Sequence, residues 1–178
     1  MRFKETFEKL LEAAVDMPPP PPPAIVQKAQ VQVTNIDVIA AALIGEAGGE
    51  GEKGMHAVMN VMVNRAKGSN DLVRGVVSAV LKPKQFSFFN NYNAGKEDMS
   101  QIIARASNHS NWNKARSIAL AGLSNKLNDI TDGATHYHVS SGPSKVAPKW
   151  SNPAVGGKNM QAAVTNTIGH HTFLKNVR

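Results

Sequence analysis

Glu46 stands in Gly45-Glu46-Ala47, at the end of the apolar run Val38-Ile39-Ala40-Ala41-Ala42-Leu43-Ile44. A carboxylate on the edge of an apolar surface holds its proton longer than usual, because burial disfavours the charged form. A proton held near neutral pH is what a general acid needs, and this points toward glycosidic-bond cleavage. The alternative for Glu46 is a helix-end carboxylate with no task. Glu50 and Glu52 follow closely, among Gly48, Gly49 and Gly51, and are expected to be solvated.

Two further clusters could serve chemistry or binding. His136 and His138 are two residues apart and on a strand would share one face. With His171 (or Glu46) as a third ligand they could hold a metal. They could equally form a polar strip for a sugar, together with Thr135 and Tyr137. His170 and His171 are neighbours and would face apart on a strand, and His56 beside a methionine stripe reads as structural. Gln85-Phe86-Ser87-Phe88-Phe89 follows Pro83. Aromatic rings with an amide and a hydroxyl suit a carbohydrate groove, which Trp150 and Tyr137 could extend. The other fate of such rings is the core. No phosphate-cradling glycine loop, serine elbow or HExxH helix is present.

These residues need a frame. The chain has 178 residues, 42% hydrophobic and without cysteine, which suits one domain with short extensions and excludes disulfides and thiol chemistry. No apolar run is long enough to span a bilayer. Residues 3–15 place Phe3, Phe7, Leu10, Leu11 and Ala14 on one helical face, giving an amphipathic segment over 1–17. Pro18 to Pro23 begin a linker over 18–34, and as polyproline II the six prolines span about 19 Å. The helix is expected to dock on a protein partner or a membrane surface, or to pack back on its own domain. Met1-Arg2-Phe3-Lys4-Glu5 is not a secretory signal.

The domain occupies 35–178. Asn35 is the expected N-cap of a helix ending near Ala47. Helical stripes follow over about 52–67, 71–81 and 112–124, with a weak helical centre at Ile102-Ile103. Ala134 to Val139 alternates as a strand, residues 140–152 read as a loop, and 171–174 as a last strand. The outline is α+β, mainly helical, with a small sheet toward the C-terminus. The net charge of +7 arises wholly in residues 35–178. That favours a polyanionic partner. The basic residues are scattered, without aromatic interleaving, which argues against nucleic acid and leaves the bacterial wall or an anionic membrane face.

In order along the chain come Gly45-Glu46-Ala47 through Gly49-Glu50-Gly51, Gly54-Met55 through Val63-Asn64-Arg65, and Gln85-Phe86-Ser87-Phe88. Then follow Asp132-Gly133-Ala134-Thr135-His136-Tyr137-His138 with Pro148 and Trp150, and Ile168-Gly169 with His171 and Phe173. This succession resembles the SleB/CwlJ family of cell-wall and spore-cortex hydrolases over about residues 37–175. Residues 1–34 lie outside it. The resemblance implies a lysozyme-like α+β domain acting on peptidoglycan without a cofactor. It implies lytic transglycosylation between N-acetylmuramic acid and N-acetylglucosamine, with Glu46 as the catalytic acid. Gln85, Phe86, Ser87, Phe88, Thr135, His136, Tyr137, His138 and Trp150 are then expected to contact the sugar. The family usually has Arg where Gly48 stands, Asn where His170 stands and Trp where Phe89 stands. A zinc amidase built on His136, His138 and His171 is the competing enzyme, and a wall-binding or virion structural protein the non-enzymatic alternative. A wall enzyme without a signal would be made in the cytoplasm and reach the wall through a phage holin or inside a virion.

Overall fold

The computed structural model describes residues 33–141, 148, 151 and 162–177. The expected amphipathic helix, the linker up to residue 32, and Trp150 lie outside the described residues.

Helix α1 (Asn35–Ala47) starts one residue earlier than its composition suggests. Thr34, not Asn35, is the N-cap. Its Oγ1 accepts the Asp37 N–H at 3.2 Å, and Asp37 Oδ2 accepts the Thr34 N–H at 3.2 Å. Two orphan amide donors are satisfied reciprocally in this capping box. From Val38 to Leu43 every side chain is buried, which is why the run is continuously apolar rather than striped. Asp37 also pairs with Arg116 at 2.9 Å.

After a 3₁₀ turn (Gly48–Glu50), helix α2 (Gly51–Ala66) packs in two directions. Met55, Val58, Met59 and Met62 join the helical core, whereas Ala57 and Val61 join Ala134, Ile168 and Phe173 beneath the sheet. Each fully buried Met, Val or Leu contributes roughly 1.5–3 kcal/mol, so α2 is anchored from both sides. Helix α3 (Leu72–Leu81) is capped by Asp71, whose side chain accepts the Arg74 N–H at 3.0 Å. A 3₁₀ turn (Ser87–Phe89) and short α4 (Asn90–Asn93) lead to α5 (Met99–Ser107). An Asp98/Gln101 capping box makes a defined helix of the weakly patterned Ile102-Ile103 stretch. Helix α6 (Trp112–Leu123) completes the layer.

Strands β1 (His136–Val139), β2 (Ala163–Ile168) and β3 (His171–Lys175) form an antiparallel sheet in the order β1-β3-β2. Sequence patterning did not reveal β2. Its register slips between Val164 and Asn166, and such a bulge breaks the period-2 alternation that marks a strand. The mainly helical α+β class with a small sheet toward the C-terminus, expected from the sequence, is the one found.

One polar knot sets β1 on α2. Asp129 accepts the N–H groups of Thr131 and Gly133, the Thr131 hydroxyl at 2.7 Å and the Asn64 amide at 3.0 Å. The same Asn64 amide donates to Ala134 O at 3.0 Å. Burial pushes the Asp129 carboxyl up, but these hydrogen bonds outweigh it and hold it below the usual carboxylate range.

Candidate active site

The end of α1 and the start of β1 bring Glu46 and Tyr137 together. The Tyr137 hydroxyl donates to Glu46 Oε2 at 2.9 Å, and the Ser87 hydroxyl donates to Oε1 at 3.3 Å. Glu46 is half-buried and Ser87 exposed, so the carboxylate lies where a large substrate can reach it. Burial, then the charge of Glu46 and the hydrogen bond to it, hold the Tyr137 phenol well above its usual value. Tyr137 is therefore a fixed donor.

Arg65 arrives from the last turn of α2. Its Nε donates to Thr135 O at 2.6 Å, and its guanidinium carbon lies 5.5 Å from the centre of the Phe86 ring. Burial pulls the guanidinium below its usual value, and the nearby Tyr137 and Glu46 oppose that shift. Arginine stays charged in proteins, so a half-buried cation stands near the Glu46–Tyr137 pair. Its Nη1 is buried without a hydrogen-bond partner among the described residues.

The rim is aromatic. Phe88 lies so close to Gly45 that a Cβ there would overlap its ring, and Arg105 sits 4.6 Å over that ring while bonding Glu97 at 3.1 Å. Gln85, Ser87 and Phe88 reach the surface as a groove requires. Phe86 does not: it is 1% exposed and serves as a core ring under Arg65, because a closed ring offers no face to a sugar. Phe89 is likewise buried.

Glu50 corrects an expectation. Its side chain is 15% exposed, not solvated, and its Oε1 lies 3.0 Å from His171 Nδ1. The turn that carries it folds inward against β3. Glu52 is solvated as expected and bridges Lys114 at 2.7 Å.

The described histidines are not gathered into a metal-binding group. His136 and His138 are half-buried on β1, the first with its Nδ1 3.0 Å from Thr135 Oγ1, the second with its Nδ1 3.3 Å from Val139 O. His171 is buried beside Glu50. Among the described residues no group of three His, Asp or Glu is placed to hold a metal. Burial, then the charge of Arg65, pull the His136 imidazole down to about 4. His56 is structural, its Nε2 2.7 Å from Asn128 O.

A family model for cell wall hydrolases matches residues 49–174. The chain belongs to that family. Membership in the cell wall hydrolases implies peptidoglycan as the substrate. The match begins three residues after Glu46, so the case for that residue rests on its geometry.

The structure of this cell wall hydrolase is similar to the catalytic domain of the germination-specific lytic transglycosylase SleB from Bacillus anthracis. The TM-score is 0.52 at 23% identity, over 79% of this chain and 93% of that one. The catalytic domain of the Bacillus cereus SleB protein gives 0.49 and 22%, over 79% and 89%. At these identities the likeness speaks to fold. Comparison with curated protein sequences gave no match.

The sequence did not reveal Arg65 and Arg105 at the site, nor the pairing of Glu50 with His171. Asn64-Arg65 belonged to the resemblance without a role, and the signal available was a cation at the end of a buried helix. At Gly48, where the family usually has Arg, the His109 ring comes within 3.3 Å of any added Cβ. The Asn111 amide donates to Gly48 O at 3.0 Å. His109 takes the space a longer side chain would need.

Proposed function

We propose that this cell wall hydrolase is a lytic transglycosylase that cleaves between N-acetylmuramic acid and N-acetylglucosamine, with Glu46 acting twice. As acid, the Glu46 carboxyl gives its proton to the glycosidic oxygen while the bond to the muramic acid C1 breaks. The N-acetylglucosamine chain leaves as an alcohol. The substrate's own N-acetyl oxygen steadies the oxocarbenium-like centre. As base, the Glu46 carboxylate takes the proton of the C6 hydroxyl, whose oxygen closes onto C1. The product is a 1,6-anhydro sugar, no water is consumed, and Glu46 ends protonated.

The observation that carries this reading is the hydroxyl cradle of one carboxylate at an open rim: Tyr137 at 2.9 Å and Ser87 at 3.3 Å from Glu46. Tyr137 donates to the carboxylate that forms as the proton leaves, and Arg65 adds a fixed positive charge near it. Both favour the charge that develops in the transition state. Two-carboxylate glycosidases need a second acid facing the sugar. Glu50, the next acid along the chain, is instead engaged with His171. Phe88 stands half-buried at the rim, and Gln85 and Thr135 offer polar groups for positioning. The positive charge of the domain favours the anionic wall.

Mass spectrometry of purified peptidoglycan after digestion tests the reading. The expected fragments end in an anhydro sugar, one water lighter than the hydrolysed form. Reducing ends would show hydrolysis, and free stem peptides an amidase; either overturns the proposal.

A further inference from the structure

Glu50 and His171 sit behind the proposed catalytic contact rather than in it. Glu50 comes from the 3₁₀ turn after α1, and His171 opens β3. Their closest atoms are 3.0 Å apart, and Glu50 Oε2 and His171 Nδ1 are buried with no hydrogen-bond partner among the described residues. A buried carboxylate loses its hydration, and pairing rarely more than repays that loss. Well-packed apolar residues in place of a buried pair are often as stable or more so, so stability is weak ground for keeping these residues.

The surroundings are shaped to admit the carboxylate. Gly169, in the β2–β3 turn, has φ of +57°, and a Cβ there would overlap Glu50 Oε2. A Cβ on Gly54, in the first turn of α2, would lie 3.2 Å from the same oxygen. Two elements thus leave out a side chain where Glu50 enters.

The other neighbour of the pair is Tyr137. Tyr137 is opposite Phe173 and His171 opposite Val139 in the β1–β3 register, so Tyr137 and His171 are diagonal neighbours on one face. Their rings meet edge to face, 5.0 Å apart at 88°. Phe173 lies 5.8 Å from the same phenol ring. The hydroxyl at the far end of that ring is the group that holds Glu46. An edge-to-face contact fixes a ring's tilt as well as its place.

We propose that Glu50 and His171 are positioning residues: the carboxylate clamps the imidazole, the imidazole sets the Tyr137 ring, and the ring aims its hydroxyl at Glu46. This rests on the reading of Glu46 as the acid. Neither residue touches the sugar. Glu50→Gln keeps the shape but exchanges the carboxylate that packs against His171 for an amide.

In the full chain, Glu50→Gln is expected to lower kcat by about 10- to 100-fold, the range a small misplacement costs, with KM unchanged. In a Tyr137→Phe background the same substitution is expected to add no further loss. A second readout does not depend on activity. The chain has two tyrosines, Tyr92 and Tyr137, so carbon-13 at the ring Cζ gives two NMR signals that Tyr137→Phe assigns. Glu50→Gln is expected to shift the Tyr137 signal and leave that of Tyr92. If Glu50→Gln does not fold, Glu50→Gln with His171→Gln, a neutral pair of similar size, is measured instead with the same expectations. A folded variant with wild-type kcat and an unmoved Tyr137 signal overturns the proposal, as does a loss that multiplies with that of Tyr137→Phe. Full turnover by Glu46→Gln would instead refute the catalytic reading, while the Tyr137 signal would still report on the clamp.

Discussion

Tyr137→Phe removes one oxygen atom and little else. The Phe ring can keep the contacts with His171 at 5.0 Å and Phe173 at 5.8 Å. Glu46 is half-buried, so water can replace part of the lost bond. The fold should therefore lose no more than about 1 kcal/mol, the typical net worth of one hydrogen bond. The reaction should lose more. The phenol stays protonated across the working range because its pKa is held well above the usual value. It donates at 2.9 Å to a carboxylate, and a hydrogen bond to a charged group contributes about 1.5–3 kcal/mol. In the proposed reaction this hydrogen bond strengthens as Glu46 passes from carboxyl to carboxylate. The loss therefore falls on the transition state, and at 1.36 kcal/mol per decade it lowers kcat by roughly 10- to 150-fold. KM should barely move, since uniform binding is untouched. The assay is the initial rate of soluble fragment release from purified peptidoglycan across substrate concentrations, alongside a thermal melt. Wild-type kcat in a folded variant, or a rise in KM alone, would refute the reasoning.

Two more substitutions separate activity from stability. Gly45→Ala improves helix propensity in α1, by up to about 1 kcal/mol, but its Cβ overlaps the Phe88 ring; turnover should drop about tenfold or more as the rim shifts, read from rates beside a melt. His136 is held down to about 4 from 6.5, so the unfolded chain takes up a proton that the folded chain refuses. Stability at this residue is therefore full above pH 6.5 and falls as pH drops toward about 4. Partial exposure screens the effect, so the slope should be less than that of one whole proton. Denaturant melts across that window should show a shallower slope for His136→Gln.

The helices were readable because their apolar stripes and caps are local. Met55, Val58, Met59 and Met62 repeat at helical spacing and are all buried. Asn35 was mistaken for the cap because Thr34 and Asp37 act as a box, which shows only when both side chains are considered. Strand β2 escaped notice because its bulge breaks the alternation. Glu46, Ser87 and Tyr137 could be singled out as types, and the structure brings them together across 91 residues of chain between Glu46 and Tyr137. The environment of Glu50 could not be read locally. Its glycine neighbours suggest an open loop, yet Gly54 makes room for the carboxylate, as does the distant Gly169. Phe86 and Phe88 look alike in sequence, and only packing sends one under Arg65 and leaves the other at the rim.

The account turns on the carboxylate at Glu46, and Glu46→Gln tests it most directly. The amide keeps the size of the side chain but cannot deliver a carboxyl proton. Rates of fragment release from purified peptidoglycan, for a variant whose melt matches the wild type, are predicted to fall by about three orders of magnitude or more, at the level of losing general acid–base catalysis. Release at the wild-type rate would contradict the account.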